Sequence, residues 1–519
     1  MVTEDQADVV AFLGASATHG GASVERVETH SAMVFLAGDR AWKIKRAVRF
    51  DYLDFSSADL RRRACEAELT VNRRTAPSVY RRVVAVTPEP DGRLALGGAG
   101  TPVEWAVEMA RFEEGALLDR LALSGGLDVG ICARLARQVA AFHRTAAVRA
   151  DQGGAAGLSW VIDGNAGGLD EEGDFLPAAL RAELTRLVRA EFGRQAAFLD
   201  ARRDAGFVRQ CHGDLHLRNI VLLDGVPTLF DAIEFNDRIA CVDVCYDLAF
   251  LVMDVWHRGM PRQANVILND YLVETGDHAG LALLPLFLSC RAAVRAKTDA
   301  TAAHRCDEAE GRDALRRSSR EYLDLAVDLL TPRPACLVAV GGLSGTGKST
   351  LAAALAPALG ATPGAVVLRS DIVRKQVCGV HPHARLDARA YTPDVSRRVY
   401  AALEDAAGRI VTTGQSVVVD AVYGELEERV RIESVARAAG VPFLGVWLEA
   451  PADLRVERVD GRVGDVSDAD GTVARRQALR HAGAVSWHRL DAARPPDDVL
   501  AEAHGYLASD SRMSSHFSS

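Results

Sequence analysis

The segment 339–351, AVGGLSGTGKSTL, constrains the fold of this chain more than any other. Gly342 is followed after four residues by Gly347, Lys348 and Ser349, with an apolar run at 336–340 before the loop and an Ala/Leu-rich stretch after it. Strand, glycine loop and helix in that order are the context a phosphate-binding P-loop requires. Glycines let backbone N–H groups close around phosphate oxygens at a helix N-terminus, where the helix dipole also favours an anion. The expected nucleotide cradle is Gly342, Ser344, Gly345, Thr346, Gly347, Lys348, Ser349 and Thr350. Lys348 would reach the β- and γ-phosphates of ATP, and the Ser349 hydroxyl would bind Mg²⁺. A glycine turn without a ligand is the plainer alternative, but so many specified positions seldom coincide by chance.

A chain of 519 residues exceeds one hydrophobic core, so two or more domains are expected. With 48% hydrophobic and 25% charged residues it has the composition of an ordinary globular protein. A net charge of −9 gives no basic footprint for duplex DNA or an anionic membrane. The N-terminal MVTEDQADVV lacks a signal-peptide pattern, and the longest apolar run, 281–290, is too short to span a bilayer. A cytoplasmic location is expected. Nine cysteines without a C-x-x-C pair suggest buried, reduced thiols. Of 61 basic residues only Lys43, Lys45, Lys297, Lys348 and Lys375 are lysine, which draws attention to places needing a compact point charge.

Residues 33–37, a Gly38-Asp39 turn and 40–45 read as a β-hairpin whose second strand carries Lys43 and Lys45 on one face. A charged helical segment follows at 57–74, with Glu66 and Glu68. A strand lysine paired with a helix glutamate is how kinase-like folds hold the α- and β-phosphates of ATP. Further on, QCHGDLHLRNIVLLDGVPTLFDAIEF places Asp214 and Asn219 five apart in a loop ahead of a second hairpin, 220–223 and 227–230, ending at Asp231. Folding that hairpin brings Asn219 and Asp231 together as a hard-cation site. Asp214 nearby can accept a proton from a hydroxyl nucleophile.

On these residues, 1–330 resembles the aminoglycoside phosphotransferase family, a kinase-like α+β fold that phosphorylates small-molecule hydroxyls. His212-Gly213-Asp214-Leu215-His216-x-x-Asn219 resembles its catalytic loop. The resemblance implies that Asp214 is catalytic, that Asn219 and Asp231 hold Mg²⁺, and that Asp243 and Asp247 in DVCYDLAFL are structural. Lys43 and Glu68 are the preferred ATP-binding pair, with Lys45 and Glu66 as rivals. The nucleotide-covering loop at 29–33 has no G-x-G-x-x-G, and Asp231-Ala232-Ile233 stands where kinases have Asp-Phe-Gly. The Gly-rich acidic stretch 150–174 and the acidic stretch 306–312 read as solvated loops; the alternative has them bind a cationic amino sugar.

Thr331-Pro332-Arg333-Pro334 cannot continue a helix, so the linker is placed at 331–335. From 336 to 508, apolar strand candidates at 336–340, 366–368, 417–419 and 443–448 alternate with helical stretches, which predicts a parallel sheet with ligands at its carboxyl ends. Asp371 and Arg374 follow the second strand, suited to a base and a clamp, and Asp420 ends the third, placed to hold Mg²⁺ through water. Arg455, Arg458 and Arg462 precede the polar GDVSDADG, a lid whose arginines would close over the transferring phosphoryl group. These features resemble the P-loop kinase group that includes polynucleotide 5′-kinase and the zeta toxins. By that resemblance Asp371 is the general base and Arg374 the substrate clamp. No basic, aromatic-interleaved groove for single-stranded nucleic acid stands out, so a 5′-hydroxyl nucleic acid substrate has no support from charge. The tail 509–519 reads as disordered.

The expectation is a two-domain protein with two ATP·Mg²⁺ sites, each phosphorylating a hydroxyl. Alternatives are one catalytic domain with the other a nucleotide sensor, or a regulatory ATP-binding protein without an acceptor.

Overall fold

The computed structural model describes residues 3–29, 31–50, 53–381, 384–460 and 484–509. The chain divides into two compact units, 1–164 with 190–254, and 165–189 with 255–519.

Alternation builds the first unit. Its six-stranded antiparallel sheet runs in the order Val24–Glu28, Ala32–Ala37, Arg40–Lys45, Glu104–Ala110, Tyr80–Pro88, Leu94–Leu96. The predicted hairpin is present, with Ala37 opposite Arg40 and Gly38 in the left-handed region at φ 57°. Trp42 and Ile44 go into a core with Phe35, Leu13, Val84 and Val86, each contributing about 2–3 kcal/mol by burial. The period of two then sends Lys43 and Lys45 to the opposite face. Against that face lies helix Ala58–Asn72, capped by Ser57 accepting from the Leu60 N–H at 3.3 Å. Arg61, Ala64, Cys65, Glu68, Val71 and Asn72 form its buried stripe, which puts Glu68 inward, while Glu66 faces solvent and pairs with Arg62.

The stretch 150–174, expected as a loop, is a helix, Gly154–Glu172. Its glycines suggested a loop, but Leu158, Ile162 and Leu169 are buried at helical spacing, and burial overrides the weak propensity. At Gly168 a Cβ would stand 2.4 Å from Lys297 Cδ, so this glycine serves close packing. The acidic stretch 306–312 likewise runs into a helix, Ala309–Asp328.

In the second unit, strands Val366–Arg369, Val417–Asp420, Leu337–Gly342, Phe443–Glu449 and His488–Asp491 form a parallel sheet in that order. The four predicted strands are present, and His488–Asp491 adds an edge strand too polar to announce itself. Val338, Val340, Val418, Leu444 and Val446 pack against Leu351, Leu355 and Leu507 in one core. The expected linker at 331–335 falls inside this unit. Helix Pro261–Thr275 lies along the edge strand: Asn265 Nδ2 donates to Pro363 O and Ala365 O, and Asn269 Oδ1 accepts from the Val367 N–H at 2.7 Å. Two asparagines thus satisfy a sheet edge that would otherwise expose unpaired groups.

Residues 279–304 are long and apolar enough to cross a membrane, longer than the run at 281–290 suggested, and 72% of their most apolar window is buried in the protein. All nine cysteines are free, seven of them buried. Ser509 ends helix Pro496–Ser509, and 510–519 lie outside the described residues.

Candidate active sites

In the first unit the lysine strand, helix Ala58–Asn72 and the loop after hairpin Ile220–Leu223/Val226–Leu229 meet. Lys43 Nζ lies 2.7 Å from Glu68 Oε1 and 2.5 Å from Asp231 Oδ1. The geometry brings Glu68, and not Glu66, to the lysine strand. It does not separate the lysines so cleanly, because Lys45 Nζ lies 2.7 Å from Glu68 Oε2 and also pairs with Glu234. Burial disfavours the charge on Lys43, but Asp231 and Glu68 outweigh it and hold its pKa well above the usual value. Burial likewise opposes ionisation of Glu68, yet Lys43 and Lys45 lower it to about 2.

The loop carrying Asp214 and Asn219 is held by side chains and backbone together. Asn219 Nδ2 donates to Asp214 Oδ2 at 2.9 Å and to Asp214 O at 3.0 Å, and His216 Nε2 lies 3.2 Å from Asp214 Oδ2. The Asp214 side chain is 36% exposed, open to an acceptor from solvent. At the open end of the hairpin Ile220 pairs with Leu229 and the Phe230 N–H donates to Asn219 O, so Asn219 and Asp231 flank the same closure. Asp231 has φ 60°; its N–H donates to Tyr80 Oη, and the next N–H, of Ala232, to Asn72 Oδ1.

Asp247, expected to be structural, is the loop's anchor. Fully buried, it accepts from the Gly213 N–H at 2.8 Å and the His212 N–H at 3.1 Å, with His143 Nε2 3.1 Å away. Asp254 accepts from the Leu217 N–H at 3.0 Å. Asp243 instead forms a buried two-pronged pair with Arg202. Sequence reasoning missed Glu234, Asn72, Tyr80, His143 and Asp254. Only Glu234 left a trace there, as a carboxylate three residues past Asp231.

In the second unit Gly342, Gly345 and Gly347 sit at φ 141°, 88° and 89°. A Cβ on Gly342 would lie 2.7 Å from Leu448 O, and one on Gly345 2.4 Å from Arg455 O, so only glycine fits either place. Gly347 precedes helix Lys348–Leu355, and Lys348 Nζ donates across the loop to Leu343 O at 3.2 Å. Ser344 and Thr346 are buried in the loop, and Thr350 is exposed. The Ser349 hydroxyl donates to Asp420 Oδ2 at 2.5 Å, and Arg369 Nε lies 3.7 Å from the same oxygen. Burial pushes the Asp420 carboxyl above its usual range, against Lys348 and Arg369. A glycine cradle above a hydroxyl–carboxylate pair suits a nucleotide phosphate with a divalent cation, as the Asn219 and Asp231 oxygens do in the first unit.

Asp371 is half-buried in the first turn of helix Ser370–Val377. Arg374, expected as a clamp, is 9% exposed; its Nη1 donates to Ala390 O and Ser396 Oγ, and its guanidinium stacks on Tyr391. It fastens the segment 390–396. Arg455 donates to Ala450 O and Arg458 to Ala492 O. Arg462 and the GDVSDADG segment lie outside the described residues.

Residues 55–284 match a family described as Phosphotransferase enzyme family, and residues 337–483 one described as AAA domain. Over 487 residues the chain is 31% identical to Uncharacterized protein Rv2004c of Mycobacterium tuberculosis, covering 92% of this chain and 94% of that one. Among solved structures, a choline/ethanolamine kinase family protein from Mesorhizobium loti has a TM-score of 0.39 at 15% identity, covering 61% of this chain and 93% of that one. The APS kinase CysC of Mycobacterium tuberculosis, in complex with AMPPNP and APS, has a TM-score of 0.26 at 24% identity, covering 34% and 100%. The chain belongs to the same family as Rv2004c, and it is an ATP-dependent phosphotransferase in which a domain of the phosphotransferase enzyme family precedes a P-loop domain of AAA type.

Proposed function

We propose that this protein is a double phosphotransferase, with one ATP·Mg²⁺ site in a domain spanning 1–330 and another in 336–508, each acting on a hydroxyl. The observation that carries the reading is that both halves keep a complete set: Lys43 on Glu68 and Asp231 beside Asp214 and Asn219 in one, the glycine cradle over Ser349 and Asp420 in the other. When bound, ATP supplies the phosphoryl group and Mg²⁺ neutralises charge on its oxygens. In the first site Lys43 binds phosphate, Asn219 and Asp231 offer oxygens to the cation, and Asp214 takes the proton of the acceptor hydroxyl. In the second, Lys348 and the loop amides bind phosphate, Ser349 and Asp420 face the cation, and Asp371 takes the proton. The acceptor of the first site is a small molecule. The second segment offers no basic, aromatic-interleaved groove, so a small molecule is favoured there too over a 5′-hydroxyl nucleic acid. We place the protein in the cytoplasm, without membrane association.

Label transfer from γ-labelled ATP tests this. The acceptors are amino sugars, plain sugars, nucleosides and 5′-hydroxyl oligonucleotides, given to the intact chain, Asp214→Ala and Lys348→Ala. Two products, each lost in a different variant, are expected. Loss of both activities in either variant, or label released only as inorganic phosphate, refutes the double-transferase reading.

A further inference from the structure

Two lysines converge on one glutamate in the first unit. Glu68 is fully buried, and each of its oxygens faces a different ammonium at 2.7 Å, Lys43 on Oε1 and Lys45 on Oε2. A single carboxylate shared between two cations leaves one positive charge uncompensated, in a place where burial makes that costly. Glu234 supplies the missing charge: its side chain is 4% exposed and pairs with Lys45, whose side chain is 5% exposed. Lys43 and Lys45 are then balanced by Glu68 and Glu234, and the charge of Asp231 is surplus, although Asp231 touches Lys43.

The loop that carries both acids is fixed in register. The Asp231 N–H donates to Tyr80 Oη, the Ala232 N–H to Asn72 Oδ1 and the Ile233 N–H to His212 O. Glu234 adds a fourth attachment, through Lys45, to the strand that also carries Lys43.

Resting on the reading that the first unit binds ATP with a divalent cation, we propose that Lys45 and Glu234 are a positioning pair. They hold Glu68 in place and supply the counter-charge that lets Asp231 leave Lys43 for the cation. Without Glu234, Glu68 is divided between two lysines and Asp231 is retained by Lys43, so the cation competes with an ammonium for that carboxylate. A pair that served only to fill and stabilise the interior would leave cation affinity unchanged.

The test measures Mn²⁺ binding from the electron paramagnetic resonance of free Mn²⁺. It uses the full chain carrying Lys348→Ala, which silences the second site, saturated with a non-hydrolysable ATP analogue. Glu234→Gln keeps the shape and removes the charge, and is expected to raise the Mn²⁺ dissociation constant roughly tenfold. Lys45→Met/Glu234→Gln restores the charge balance, and the constant is expected to return to within about twofold of its starting value. An unchanged constant in Glu234→Gln, or one that stays raised in the double variant, overturns the proposal. Should Glu234→Gln fail to fold, Lys45→Met alone decides: it leaves more negative charge around Lys43, so the constant must fall, and an unchanged or raised constant refutes the idea. If Asp231→Asn has no effect on nucleotide-dependent Mn²⁺ binding in the starting chain, the functional reading itself fails and this inference falls with it.

Discussion

Replacing Asp247 by asparagine removes one charge from the wall of the first site and leaves the shape of the side chain almost unchanged. The carboxylate accepts from the backbone N–H groups of His212 and Gly213 at 3.1 and 2.8 Å, and His143 Nε2 lies 3.1 Å away, all of them buried. Hydrogen bonds to a charged group contribute about 1.5–3 kcal/mol each. Asparagine offers one carbonyl oxygen, so one amide keeps an acceptor while the other meets an NH₂ group, donor against donor. The expected local cost is about 2–4 kcal/mol, combining the lost charge-assisted bond with a buried N–H left unsatisfied. Hydrogen–deuterium exchange over the peptide containing His212 and Gly213 reads this directly, because local opening governs exchange there. Exchange at one of the two amides should accelerate by about thirtyfold or more, with second-unit peptides unchanged. Asp214-dependent phosphotransfer should fall in parallel, since the same loop holds Asp214. Exchange within about twofold of the parent at both amides would refute the claim that Asp247 holds the catalytic loop.

Gly342→Ala and Gly345→Ala each drive a Cβ to within 2.7 or 2.4 Å of a carbonyl oxygen, at positive φ. Either should abolish nucleotide binding at the P-loop while leaving Asp214-dependent turnover intact, as equilibrium binding of a fluorescent ATP analogue will report. Burial raises the folded-state pKa of Asp420, so the ionised carboxylate costs stability, and the cost grows as pH rises from the unfolded value through the folded one. Asp420→Asn should therefore melt higher than the parent at neutral pH, by a margin that shrinks on acidification, and lose P-loop phosphotransfer. Glu68 runs the other way: its pKa falls from 4.5 to about 2, so its contribution is complete above the unfolded value and is lost as pH falls through the folded one. That amounts to about 3 kcal/mol, and the stability gap between the parent and Glu68→Gln should close over this window in thermal melts. Asn269→Ala unpairs the Val367 N–H on the sheet edge and should cost about 1–2 kcal/mol in denaturant unfolding of the second unit.

Local pattern carried much of this protein. The P-loop is legible because phosphate binding needs backbone N–H groups in conformations that only glycine adopts, and glycine spacing is written directly in sequence. The strand of Lys43 and the hairpin ending at Asp231 are legible for a similar reason: alternation and a two-residue turn fix which side chains share a face. Four of the five parallel strands showed as apolar runs because both of their faces are covered.

What sequence could not decide depends on residues that meet only when distant segments fold together. Glu66 and Glu68 look alike in a helical segment, and the choice falls to the buried stripe of helix Ala58–Asn72, which turns Glu68 toward the lysine strand. Glu234 meets Lys45 across 189 positions, and no period links them. Arg374 has the spacing of a clamp, but its guanidinium is held by Ala390, Tyr391 and Ser396, segments whose position only packing sets. The break at 331–335 is a real end of helix, yet helix Pro261–Thr275 joins the second unit through two asparagines on a strand edge. Sequence determined where the glycine loop and the strands form, because those are short-range steric matters; tertiary structure decided which charges meet, because a buried charge takes whichever partner the fold brings within reach.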